Sequence, residues 1–242
     1  MSPKELLPGL FTLYCRKTVN LFLIVDDESV TLIDTGFPGS ADDILNAVTT
    51  CGRRPEDVAD ILVTHCHSDH AGSLAELKER TGATSYMHPT DAEFVRRGKT
   101  MRPVVPSPTV LSHVFYRVNL KGKPPEAFDI PPAEVDRDIV DGEELAIAGG
   151  MTAIHVPGHC AGQLAFLWHR HDGVLFAADT AANAFGLTLS PVYEDLDDGR
   201  RSLAKLSAYD FENACFGHGK PIIGGADEKF RNKWPAAREP AH

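Results

Sequence analysis

Nothing in this chain of 242 residues is apolar for long enough to span a bilayer as a helix: no run of 18 apolar residues occurs. Basic residues are outnumbered. Lys plus Arg come to 24 and Asp plus Glu to 34, a formal charge of −10, which repels phosphate backbones over the whole surface. Short pairs such as Arg96-Arg97 and Arg200-Arg201 read as solvated helix faces, so a nucleic-acid partner is not expected. The opening residues, Met1-Ser2-Pro3-Lys4-Glu5, lack the basic-then-apolar layout of a secretory signal. Five scattered cysteines (Cys15, Cys51, Cys66, Cys160, Cys215) do not form a disulfide framework. These absences lead to the expectation of a cytoplasmic protein with a small-molecule partner and no membrane partner. What is present is ordinary for a globular chain, with 43% hydrophobic and 24% charged residues. The unusual feature is eleven histidines and where they fall.

The chain alternates strand and helix signals. Leu21 to Val25 and Val30 to Ile33 read as a hairpin around Asp26-Asp27-Glu28-Ser29, ending at Asp34-Thr35-Gly36. Ser40 is placed to cap a helix with Ile44, Leu45 and Val48 on one face and Gly52 at its end. Ile61 to Val63 is a short buried-type strand, Leu74 and Leu77 mark a helix stopped at Gly82, and Thr84 to Met87 is another strand. Lys99 to Val135 breaks the rhythm with seven of the 17 prolines and an apolar patch from Val110 to Tyr116. Such a stretch is read as an insertion or flap at about 99–135 within one domain spanning 1–242. Strands return at Leu145 to Ala148, Thr152 to Val156, Leu164 to Trp168, Val174 to Ala177 and Ala214 to Phe216, with a late helix at Leu203 and Leu206. Two strand-rich halves with helices suggest two sheets packed face to face under outer helices.

The chemistry concentrates in His65-Cys66-His67-Ser68-Asp69-His70. On an extended segment, residues i and i+2 point the same way, so His65 and His67 can meet one ion. Where the chain turns into a helix, Asp69 and His70 swing round toward a second. Imidazole and carboxylate suit zinc and neighbouring first-row metals. The same alternation predicts that Cys66 and Cys160 face away as packing groups.

This segment resembles the HxHxDH motif of the metallo-β-lactamase superfamily of metal-dependent hydrolases. Asp34-Thr35-Gly36, Pro157-Gly158-His159, Asp179 after Val174 to Ala178, and Gly217-His218-Gly219 resemble that family's other motifs, in the same order. The resemblance implies an α+β fold, a four-layer αββα sandwich. It implies two divalent metal ions, zinc first and iron or manganese as the other choices. His65, His67 and His159 would bind one, Asp69, His70 and His218 the other, and Asp179 both, with Asp34 supporting the metal loop from behind. Asp69 would orient the attacking water as the catalytic carboxylate.

Departures from subfamily patterns narrow the activity. Ala182 stands where the resembling lactonases place a tyrosine, leaving Tyr116 or Tyr193 as stand-ins, and His113 in the insertion is a further candidate for touching substrate. The 24 residues after His218 are expected to be too few for the glutathione-gripping extension of hydroxyacylglutathione hydrolases. The expectation is hydrolysis of a small ester, thioester or lactone. The rival readings are a mononuclear iron persulfide dioxygenase, a β-lactam hydrolase and a non-catalytic metal-binding module. A homodimer stays open on base rate alone.

Overall fold

The computed structural model describes residues 1–236; the end of the 1–242 domain assignment lies outside them. The chain starts with a meander, β1 (Lys4–Leu7), β2 (Leu10–Cys15), β3 (Val19–Val25) and β4 (Val30–Ile33), each antiparallel to the last. Helix α1 (Ala41–Thr50) then carries the chain to β5 (Val58–Leu62), and α2 (Leu74–Thr81) to β6 (Thr84–Met87). Both of these strands run parallel to their predecessors. After α3 (Pro89–Arg96), the short β7 (Val105–Pro106) leaves this sheet, α4 (Val110–Asn119) follows, and β8 (Arg137–Asp138) returns as its seventh strand beside β6.

The second sheet begins with β9 (Glu144–Leu145), β10 (Met151–His155), β11 (Leu164–Trp168) and β12 (Val174–Phe176). Two small pairs follow. β13 (Ala181–Ala182) pairs with β14 (Thr188–Leu189), and β15 (Val192–Tyr193) pairs back to β7. Helix α5 (Leu196–Leu206) leads to β16 (Asn213–Cys215), parallel to β12; β17 (Ile222–Ile223) completes the sheet, and α6 (Ala226–Lys233) closes the described chain.

Three apolar interfaces make four layers. Phe22, Ile24, Ile33 and Leu62 from the first sheet meet Leu164, Phe166, Val174 and Phe176 from the second. Ile44, Leu45 and Val48 of α1, Leu74 and Leu77 of α2 and Val95 of α3 cover the outer face of the first sheet. Leu203 and Leu206 of α5 and Phe230 of α6 cover the outer face of the second. The molecule is an αββα sandwich, so strands buried on both faces read as continuous apolar runs rather than alternating ones. The 99–135 stretch is not a structureless loop. It holds β7, α4 and a 3-10 turn at Pro125–Phe128.

Candidate metal centre

Every loop that carries a candidate ligand or its Asp34 support begins just beyond the C-terminal end of a strand. Asp34 follows β4, His65 follows β5, His159 follows β10, Asp179 follows β12 and His218 follows β16. The two sheets are locked together there, since Leu164 N–H donates to the Thr64 carbonyl at 2.8 Å. His67 Nδ1 and His159 Nε2 stand 3.0 Å apart. Asp179 Oδ2 lies 3.5 Å from His159 Nε2 and 3.2 Å from His218 Nε2, while its Oδ1 lies 3.7 Å from His70 Nε2. Asp69 Oδ2 is 3.4 Å from His218 Nε2 and 3.8 Å from His70 Nε2. The structure brings together His65, His67 and His159 as one group and Asp69, His70 and His218 as another, with Asp179 beside His65 and His70.

The far side of four of the five rings, all but His67, is tied to a partner that fixes its tautomer. His70 Nδ1 donates to Asp34 Oδ2 at 2.8 Å, His159 Nδ1 to the Val192 carbonyl at 2.8 Å and His218 Nδ1 to the Thr18 carbonyl at 2.7 Å. The Thr64 hydroxyl donates to Asp34 and so accepts from His65 Nδ1 at 2.9 Å. With those protons outside, it is the inner nitrogens that face the centre and would coordinate a cation, His70 and His218 once they give up a second proton. His65 Nε2, His70 Nε2 and Asp179 Oδ1 are buried there without a hydrogen-bond partner among the described residues. Orphaned buried acceptors are costly unless something else satisfies them. Ligands about 2.1 Å from one tetrahedral ion stand ~3.4 Å apart, which is close to the spacings observed. The donor set and its orphaned atoms therefore fit divalent metal.

The electrostatics call for positive charge. Burial would lower His70, but Asp34, Asp69 and Asp179 outweigh it and push its pKa up to about 9. His218 is driven well up against its own burial by Asp179 and Asp69. Burial alone would raise the carboxyls of Asp69 and Asp179, yet the facing imidazoles, His70 and His218, hold both well below the usual range. On the other flank no carboxylate dominates. Burial and the neighbouring His159 drop His67 to about 3, and burial likewise lowers His65 and His159.

Close backbone approach builds the centre. A Cβ on Gly217 would stand 2.1 Å from Asp179 Oδ1 and 2.8 Å from His70 Cε1. Gly158 has φ +135°, and a Cβ there would strike the Gly199 backbone at the start of α5. Asp34 itself sits at φ +65° and Ala178 at +48°, conformations that a well-braced site can hold.

Two readings from the sequence are corrected. Tyr193 cannot reach substrate: it is fully buried, and its hydroxyl donates to the Thr180 carbonyl at 2.8 Å. Its ring lies against Gly199, the one residue type that leaves room for it. Cys160 does not face away, since its Sγ stands 3.4 Å from His67 Nε2. Strand alternation does not apply to it, because β10 ends at His155 and Cys160 lies in a bend. Cys66 is a buried packing group, its Sγ 3.5 Å from the Thr100 carbonyl and clustered with Asp91 and Cys160 rather than with the histidines. His113 is exposed on α4 with Nδ1 donating to the Thr109 carbonyl at 2.8 Å, and Tyr116 is half-buried on the same helix. Neither bonds to the cluster among the described residues. The supports that sequence reasoning missed are Thr64, Cys160, Ser190 (Oγ 3.2 Å from His159 Nδ1) and two backbone carbonyls. Carbonyl partners carry no side-chain signal.

The sequence model of the metallo-beta-lactamase superfamily matches residues 16–218. The uncharacterized protein YobT of Bacillus subtilis is 31% identical over 173 residues, 71% of this chain and 66% of that protein. A hydroxyacylglutathione hydrolase of Pseudomonas savastanoi is 30% identical over 175 residues, 70% of this chain and 51% of that enzyme. The chain thus spans about half to two thirds of the length of these relatives. Among solved structures, a metallo-beta-lactamase from Cronobacter sakazakii superposes with a TM-score of 0.69 at 26% identity, over 90% of this chain and 80% of that one. With the ordered motifs, the four layers and this match together, the chain belongs to the metallo-beta-lactamase superfamily.

Proposed function

We propose that the chain is a metal-dependent hydrolase that cleaves a small acyl bond, with a thioester as the first choice and esters and lactones next. The observation that carries this reading is the set of buried, unpartnered polar atoms (His65 Nε2, His70 Nε2 and Asp179 Oδ1) on residues that cluster between the two sheets. His65, His67 and His159 would hold one divalent ion, Asp69, His70 and His218 a second, and Asp179 both, with zinc the first choice for this nitrogen and oxygen set. Bound ions of this kind supply a water that ionises near neutral pH and a positive charge for a carbonyl oxygen. Asp69, whose side chain is 22% exposed, would orient that water and pass its proton on to solvent. Asp34 and Thr64 hold His70 and His65 in register, so the rings need not reorganise during the reaction. The convergence of the Asp69, His70 and His218 group favours a two-ion hydrolase over a one-iron dioxygenase. Likeness to a hydroxyacylglutathione hydrolase puts thioesters first. Five free thiols suit a reducing, cytoplasmic compartment.

The test is elemental analysis of purified protein followed by a panel of acyl thioesters, lactones, aryl esters and a β-lactam. About two zinc ions per chain and turnover of a thioester, lowered on the order of 10²-fold or more by Asp69→Asn, is the expected result. One iron per chain with oxygen uptake, or turnover indifferent to Asp69→Asn, would overturn the reading.

A further inference from the structure

Helix α4 is amphipathic the wrong way round for a helix packed on a core. Val110, Leu111, Val114, Phe115 and Val118 fall on one continuous arc, and all of them are solvent-exposed. Val110 is 84% exposed, Val118 70% and Leu111 66%, while the only buried residue of the helix is Ser112. The apolar face therefore looks outward, where an ordinary surface helix would present charge.

The same segment is singular in charge. From Lys99 to Pro125 there are five basic residues and no acid, in a chain of net charge −10. Lys99 is paired with Asp129, and Arg102 with Asp91 and Glu194. Arg117, Lys121 and Lys123 are exposed and make no ion pair among the described residues. Arg117 borders the apolar arc, and Lys121 and Lys123 follow the helix at its C-terminal end.

This helix is wired to the metal centre. The Ser107 hydroxyl donates to the Ser190 carbonyl, Ser107 N–H donates to the Pro191 carbonyl at 2.9 Å, and Ser190 Oγ stands 3.2 Å from His159 Nδ1. On the other flank, Asn183 N–H donates to the His218 carbonyl at 3.0 Å, and two residues further on Phe185 is 94% exposed. Apolar side chains thus project from segments tied to His159 and to His218.

The geometry points to α4 as a docking face for an anionic lipid surface that brings the candidate metal centre to lipid-borne substrate. An apolar arc bordered by unpaired cations is what an interfacial helix presents to acidic headgroups and acyl chains. A second copy of the chain fits less well. A ten-residue helix is about 15 Å long and 10 Å wide, so one face offers on the order of 200 Å², against about 800 Å² per partner in a stable interface. A two-fold pairing would also bring a segment without acids against itself. The earlier expectation of no membrane partner rested on the lack of a spanning run, which does not bear on surface docking. The inference is independent of which acyl bond is cleaved.

The test is co-sedimentation of the metal-loaded full chain with phosphatidylcholine vesicles, with and without phosphatidylglycerol, at low and high salt. Binding only to the anionic vesicles, weakened by salt, is expected. Lys121→Gln should weaken it about fivefold, and Val114→Asp or Val118→Ser should weaken it at both salt concentrations. Thermal unfolding and metal content should stay at wild-type values in all three variants. Absence of vesicle binding by the wild type overturns the proposal. So does a dimer in sedimentation equilibrium that Val114→Asp dissociates, because the face would then belong to a second copy. These readouts do not use hydrolysis, so failure here is distinguishable from failure of the hydrolase reading.

Discussion

At the scale of single residues, the supports behind the cluster are as informative as the cluster. Asp34 accepts from Thr64 N–H, the Thr64 hydroxyl and His70 Nδ1. Asparagine tolerates the left-handed backbone found at Asp34, so Asp34→Asn removes the charge and an acceptor while leaving the turn intact. Zinc affinity, measured by competition with a chromophoric chelator, should fall about 10- to 100-fold. An unchanged affinity would mean that Asp34 only braces the turn. Gly217→Ala tests the opposite property, closeness of approach. Its methyl group would overlap Asp179 Oδ1, and displacing a reacting group by about 1 Å costs on the order of 10²-fold in rate. The expected outcome is a folded protein by circular dichroism with turnover reduced by that order. The cluster was legible because three histidines and an aspartate in six residues leave few bland explanations, and the later motifs follow in order. Cys160 and Tyr193 were misread for physical reasons. A bend voids strand alternation at Cys160, and α5 seals Tyr193 over Gly199.

At the scale of elements, local rules worked for many segments that pack against the core, although β2, α3 and α6 also pack there and were not anticipated. The helices α1, α2 with its left-handed Gly82 cap, and α5 carry the periodicity of one buried face, while the β3–β4 hairpin, β6, β10 to β12 and β16 show as short apolar runs because both of their faces are covered. Helix α4 escaped because its apolar face looks outward, and a helix turned from the core reads as a loop when prolines flank it. The cap reading at Ser40 was right in position and wrong in mechanism: its side chain makes no cap bond and instead lies 3.3 Å from Cys15 Sγ. The hairpin turn permits a quantitative check. Asp26 accepts from Glu28 N–H at 2.9 Å, Ser29 N–H at 2.7 Å and the Ser29 hydroxyl. Burial raises its carboxyl, but these donors and Arg53 outweigh burial and leave it below the usual value. A depressed folded-state pKa means that the stabilisation is complete above the unfolded value of about 3.9 and is lost as pH falls through the folded one. Asp26→Ala in chelated protein should therefore cost about 1 kcal/mol in urea unfolding at neutral pH. It should cost little at a pH below the folded value. Equal costs at both would show that Asp26 acts through shape and not charge.

At the scale of the molecule, the candidate centre is where the two sheets are tied together. His65, His67 and His70 lie beyond β5 of the first sheet, and His159, Asp179 and His218 beyond strands of the second. Elsewhere the sheets are joined mainly by apolar contact such as Phe22 with Phe176, ring centroids 5.3 Å apart. Metal held from both sides would cross-link the sandwich at the edge where three carboxylates (Asp34, Asp69 and Asp179) lie close together. Removing it should leave mutual repulsion that His70 and His218 offset only by holding protons. A ligand that binds only the folded chain stabilises it by RT ln(1 + [L]/Kd), about 4 kcal/mol at a thousandfold excess over Kd. In a chain of this size each kcal/mol moves Tm by roughly 2–4 °C. Exhaustive chelation should therefore lower Tm by about 8–16 °C, and re-addition of zinc should restore it with a dependence on zinc concentration. Asp34→Asn should need more zinc for the same recovery, since it acts on affinity, whereas Asp69→Ala should recover only in part. A Tm indifferent to chelator, in protein shown by elemental analysis to have lost its metal, would mean that apolar packing alone holds the sheets together and that the ions serve the chemistry without serving the fold.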